Sequence, residues 1–154
     1  MRARNFILAV LALTLLGSTN AFAQAQKSVV GVWERISHTD REGKVTQPPA
    51  DPSIFVIFSA NGYASQTAVP AERKKIDKPA KDLTKEELLE RYGRVVARYG
   101  TYKFSGDKLI RKDLSHSNPN NEGQETERTV RFEGDMMFLV EAGTKHVATF
   151  RRVK

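Results

Sequence analysis

The 154-residue sequence predicts an all-β fold, an eight-stranded antiparallel up-and-down barrel with one helical insertion between the third and fourth strands. Three observations carry this. Short apolar or alternating runs recur between turns rich in Gly, Asn and Asp. The first run holds the only tryptophan, Trp33, two residues after Gly31. The interval from Pro70 to Arg98 then abandons the two-residue period for a helical one. Eight strands of this length suit a closed barrel, whose interior is filled or holds one small ligand, and closure removes the edges that an open meander would expose.

The first strand runs through Trp33 to about Thr39. Glycine has no Cβ, so Gly31 lets another chemical group close over the indole from the same strand face. Asp40-Arg41-Glu42-Gly43 is a turn, and Gln47-Pro48-Pro49-Ala50-Asp51-Pro52 is a connector, because proline cannot donate to a ladder. The apolar run Ile54–Phe58 is a strand covered on both faces, and Asn61-Gly62 turns it into Tyr63–Val69. In the insertion, Thr84 and Glu87 have capping-box spacing. Leu88, Leu89, Tyr92, Val95 and Val96 make an amphipathic helix over about Lys85–Ala97, whose stripe either packs on the barrel or acts as a lid. Strands then follow at Tyr99–Phe104, Lys108–His116, Gln124–Phe132, Met136–Glu141 and His146–Val153, separated by Gly-containing turns and the Asn118–Gly123 loop.

Residues 1–23 have the form of a secretory signal peptide, with Arg2 and Arg4, the apolar run Phe6–Leu16 and Ala21-Phe22-Ala23 at the cleavage site. The apolar run is shorter than the ~20 residues that span a bilayer. Cleavage would leave residues 24–154 as one domain without a membrane anchor, in the periplasm or secreted. Without Arg2 and Arg4 the 25 basic residues become 23, against 18 acidic ones, for a formal charge of +5. That excess is dispersed, and Arg73-Lys74-Lys75 lies among acids, so no stripe of the kind nucleic acid requires is formed. The chain has no cysteine, which excludes disulfides, thiol catalysis and thiolate metal sites.

Gly31-x-Trp33, Tyr99-Gly100-Thr101-Tyr102, the Pro119-Asn120 loop closing on Gly123, Arg128 beyond it and the Phe132-Glu133-Gly134-Asp135 turn together resemble the bacterial lipocalin-like pattern. The chain departs from it at Asn121, where an aromatic residue is expected, and lacks histidines near Ile110 and Arg111. The resemblance implies a barrel with a basic side chain packed across its tryptophan. Arg152 is the candidate, making Gly31, Trp33 and Arg152 a structural group; a guanidinium over an indole contributes ~0.5 to 2 kcal/mol.

Strand parity supplies candidate interior residues. Glu125, Glu127, Thr129 and Arg131 are all polar, so Arg128, Val130 and Phe132 face inward. The same rule places Tyr102 and Phe104 inside, then Ile110, Lys112, Leu114 and His116, then Met136, Phe138 and Val140, and finally His146, Ala148, Phe150 and Arg152. The candidate ligand-binding set is therefore Tyr102, Phe104, Lys112, His116, Arg128, Phe132 and Phe138. Arg128 is either an internal ion-pair or rim residue, or a partner for the carboxylate of an amphipathic ligand such as a fatty acid.

The leading function is carriage of a small hydrophobic, amphipathic or anionic molecule in the barrel. No catalytic residue, metal site or cofactor is assigned: His38, His116 and His146 sit on separate strands without ligand spacing or a nucleophile motif. A non-hydrolytic enzyme of isomerase or cyclase type, and a structural or inhibitory surface module, are the alternatives.

Overall fold

The computed structural model describes residues 29–47 and 53–154. The expected leader, its cleavage site and the proline-rich part of the connector, residues 48–52, lie outside the described residues.

Among the described residues, nine strands form one antiparallel sheet: β1 (Gly31–Thr39), β2 (Val45–Thr46), β3 (Ser53–Phe58), β4 (Tyr63–Val69), β5 (Val96–Ser105), β6 (Lys108–His116), β7 (Glu125–Glu133), β8 (Met136–Val140) and β9 (Val147–Arg152). β1 pairs with β3 on one side and β9 on the other, so eight strands close into a barrel. The two-residue β2 extends the β3 side of β1 by pairing with His38 and Thr39. Counting it moves the helical insertion to between β4 and β5. The sequence offered little sign of β2, because a single Val-Thr pair carries no periodicity.

Two bulges control which side chains enter the barrel. Pairing of β1 with β9 skips Ile36, so Arg35 and His38 share the interior face. Pairing of β5 with β6 shifts between Tyr99 and Gly100 and skips Leu114. At Gly100 a Cβ would lie 1.9 Å from the Lys112 carbonyl oxygen, so only glycine allows the two strands to approach this closely.

The core is concentrated at the end of the barrel where β1 begins. Trp33, Val56, Phe58, Leu109 and Met137 are fully buried there, with Val29 beneath them. The Trp33 indole donates to Val29 O at 2.7 Å, and its ring lies 6.0 Å from Phe132. Tyr102 meets Phe58 edge-on at 5.1 Å and donates its hydroxyl to Ser59 O at 2.7 Å. Burial raises the cost of ionising that phenol, so its pKa lies above the ordinary value.

The helix, α1, is shorter than its pattern predicts, spanning Lys85–Tyr92 and leaving Val96 to start β5. Its N-terminus has the expected capping box: Glu87 N donates to Thr84 Oγ1, and Thr84 N to Glu87 Oε2 at 2.9 Å. The expected docking of its apolar stripe is corrected, since no α1 residue is buried and Leu88, Leu89 and Tyr92 are exposed. Bonds within the insertion support the helix instead. Lys78 pairs with Glu87 at 2.7 Å, and Arg91 donates to the carbonyls of Ile76 and Lys78.

Candidate functional site

At the end of the barrel opposite Trp33 the interior becomes polar and encloses a cavity of about 160 Å³. Arg35 from β1, Gln66 from β4, Arg98 from β5, Arg111 from β6 and Arg128 from β7 reach it, with His146 ahead of β9. Ile54, Leu109, Leu139, Ala148 and Phe150 supply its apolar wall.

Arg111 is the most constrained charge. It is 6 % exposed, and its Nη1 donates to Gln66 Oε1 at 3.1 Å. Its Nη2 finds no hydrogen-bond partner among the described residues. Gln66 Oε1 also accepts from Arg98 Nη2 at 2.7 Å and Nε at 3.2 Å. One amide oxygen thus satisfies donors on two guanidiniums while cancelling neither charge. The nearby anion is Asp113, 4 % exposed, whose Oδ2 pairs with Arg98 at 3.2 Å. Desolvation, followed by the like charge of Arg98, pushes the Arg111 pKa down to about 10. Arg111 therefore remains charged at neutral pH, in surroundings that disfavour an uncompensated cation.

At the mouth, Glu141 gathers three bases. Arg41, from the turn after β1, binds it through Nη2 at 2.6 Å and Nε at 3.3 Å. Arg128 Nη2 lies 3.7 Å and His146 Nδ1 3.5 Å from the carboxylate. The bond from Arg41 leads the effects that hold Glu141 below the usual carboxylate range. His146 also packs 6.2 Å from the His38 ring. Burial, with Arg128, His38 and Arg41 nearby, lowers the His146 pKa despite the opposing pull of Glu141. Among the described residues, no group of three His, Asp or Glu side chains is placed to hold a metal ion.

Of the residues chosen from sequence for ligand binding, Arg128 lines this cavity. Tyr102, Phe104 and Phe132 face inward but belong to the apolar packing around Trp33 and Phe58. Lys112 is corrected to the outer face, where it is exposed, because the β5–β6 hairpin sets Arg111, not Lys112, opposite Tyr102. Ile110 and Leu114 leave the interior set with it, while Leu109, Arg111 and Asp113 enter. Phe138 also lies outside, under the Arg131 guanidinium at 4.6 Å, since Phe132 pairs with Met137. Met137 and Leu139, rather than Met136, Phe138 and Val140, are the buried residues of β8. His116 sits at the rim, accepting from Asn118 N at Nδ1 (2.8 Å), with Asn121 Nδ2 3.4 Å from Nε2.

Sequence reasoning missed Arg35, Gln66, Arg98 and Arg111. Arg98 lay within the expected helical insertion, whereas Arg35 was legible two residues after Trp33 on the same strand face. Arg111 was legible, because two-residue hairpin geometry starting from Tyr102 points to it.

These features define a class of protein, a small closed β-barrel with an apolar plug at one end and an internal cup at the other. A model of the lipocalin-like domain matches residues 30–152, and the chain belongs to that family. A lipocalin-like protein from Bacteroides uniformis is 15 % identical, with TM-score 0.52, covering 82 % of this chain and 99 % of its own. An uncharacterised protein from Bacteroides eggerthii is 18 % identical, with TM-score 0.50, covering 81 % and 99 % respectively. These likenesses establish the fold. No curated protein matches the sequence.

Proposed function

We propose that this protein is an exported binding protein that holds a small anionic molecule inside its barrel without transforming it. Export rests on the form of residues 1–23 and would place the barrel in the periplasm or outside the cell. The observation that carries the ligand reading is the buried Arg111 guanidinium, whose Nη2 has no partner among the described residues in a cavity shared with Arg98 and Arg128. An anion there replaces lost hydration with charge-assisted hydrogen bonds. A cavity of about 160 Å³ is too small for a long acyl chain. An engineered cavity of similar size holds benzene, which has six non-hydrogen atoms, so a ligand larger than that extends into the mouth.

Calorimetry with hexanoate and 1-hexanol tests this reading. The acid is expected to bind at least about tenfold more tightly, a difference of about 1.4 kcal/mol. Arg111→Met, which keeps bulk and removes the charge that carries the reading, should erase most of that preference. Equal affinity for acid and alcohol, or binding of neither, would reject the anion reading.

A further inference from the structure

The cavity's charge is unevenly distributed. Arg98, Arg111 and Gln66 gather on the adjacent strands β4, β5 and β6, where three of their contacts converge on Gln66 Oε1. Arg128 lies at the mouth beside Glu141, whose shorter bonds go outward to Arg41. Ile54, Leu109 and Leu139 share the same cavity wall. Four guanidiniums, those of Arg35, Arg98, Arg111 and Arg128, therefore line the cavity; Asp113 pairs with Arg98 at 3.2 Å and Glu141 approaches Arg128 at 3.7 Å, and among the described residues no carboxylate lies within ion-pair distance of Arg111. A neutral amide stands where a second carboxylate would have cancelled one of them.

From this we infer that the ligand is a short dicarboxylate, with one carboxylate held by Arg111 and Arg98, the other by Arg128, and its hydrocarbon spacer against the apolar wall. The inference rests on the anion reading and makes it specific. A monocarboxylate would engage the guanidiniums at only one side of the cavity, and a compact oxyanion would leave the apolar wall uncovered. The cavity volume of about 160 Å³ limits the spacer to a few methylenes, because two carboxylates alone have as many non-hydrogen atoms as the benzene that fills a cavity of this size, and the second carboxylate lies at the open mouth beside Arg128. Each carboxylate can take a paired set of hydrogen bonds from the planar guanidinium fork, which lysine could not offer.

The test is calorimetry at fixed pH and ionic strength with succinate, glutarate and adipate, their monoacids butyrate, pentanoate and hexanoate, and inorganic phosphate. At least one diacid should bind tenfold or more tightly than its monoacid and than phosphate. That margin should fall below threefold in Arg128→Met and in Arg111→Met. Monoacids binding as well as diacids would overturn the two-ended ligand while leaving the anion reading intact. Phosphate binding as tightly as the best diacid would also overturn it, in favour of a single oxyanion hole. Binding of none of these would reject both readings. The wild-type comparison decides these outcomes even where Arg111→Met fails to fold.

Discussion

The guanidinium of Arg152 lies 4.2 Å from the Trp33 ring centroid and donates from Nη1 to Val30 O at 2.7 Å. The last strand is thereby fastened across the first at the plugged end of the barrel. Trp33 is 1 % exposed, and truncation would remove both the largest core side chain and the platform for Arg152. Trp33→Ala should cost ~3 to 5 kcal/mol, measured by urea denaturation. A loss below about 1 kcal/mol would show that this packing contributes little to stability.

Gly31 makes room for that arrangement. A Cβ there would lie 2.5 Å from Arg152 Nη1, and the backbone holds φ at +138°, a region that side chains rarely adopt. Gly31→Ala should destabilise by ~1 to 3 kcal/mol. The arginine can swing away whereas the backbone cannot, so Gly31→Ala with Arg152→Ala should cost less than the sum of the singles, by at least about 0.5 kcal/mol. Strict additivity in thermal or chemical denaturation would mean that the two positions do not communicate.

At Gly100 the obstacle is backbone. The added methyl would meet Lys112 O at 1.9 Å, Lys112 C at 2.9 Å and Asp113 Cα at 3.0 Å, none of which is a flexible side-chain end. Gly100→Ala should cost ~1 to 3 kcal/mol or more. It should also weaken anion binding, because the shifted segment carries Arg111 and Asp113. Unchanged stability would imply that β6 can slide past β5 without penalty.

The mouth should respond to acid. His146 titrates below its ordinary 6.5, so between that value and its folded pKa the unfolded chain binds a proton that the folded chain does not. Its contribution is therefore complete above about pH 6.5 and is lost as pH falls through the folded pKa. Glu141, also lowered, contributes above 4.5 and loses that contribution in a more acidic window. Comparing urea midpoints at pH 7.5 and 5.5 should show a drop that His146→Gln reduces. An NMR titration placing the His146 midpoint above 6.5 would reverse the sign and reject this account.

The barrel was legible because the turns and the Gly31-x-Trp33 pattern act locally, while Arg152 was placed over Trp33 by the family resemblance. The interior of β6 was not read correctly, because apolar parity favours Ile110 and Leu114 whereas the barrel buries Arg111 and Asp113 between Leu109 and the rim. Hairpin register would have resolved it. Gly106-Asp107 sets Phe104 opposite Leu109 and therefore Tyr102 opposite Arg111. The same step from Phe132 across Gly134-Asp135 leads to Met137. Bulges at Ile36 and Leu114 are different: each inserts one residue in a ladder, and no local pattern distinguishes that residue from its neighbours. The cationic cavity was hidden because its members come from five strands and violate the usual preference for apolar interior faces.

The exposed helix also bears on how the barrel is assembled. Ala68 and Val96 are already ladder partners on β4 and β5, so the chain from 69 to 95 leaves and returns at adjacent points on the sheet. The ion pair of Lys78 with Glu87 and the reach of Arg91 to Ile76 and Lys78 remain within that excursion. It is an appendage with its own scaffolding, grafted at one rim. Longer loops add closure entropy only slowly, so little in the barrel constrains its length. A four-residue Asn-Gly turn in its place should yield a soluble barrel with an unchanged near-ultraviolet Trp33 signal, leaving this rim free to carry segments of other sizes.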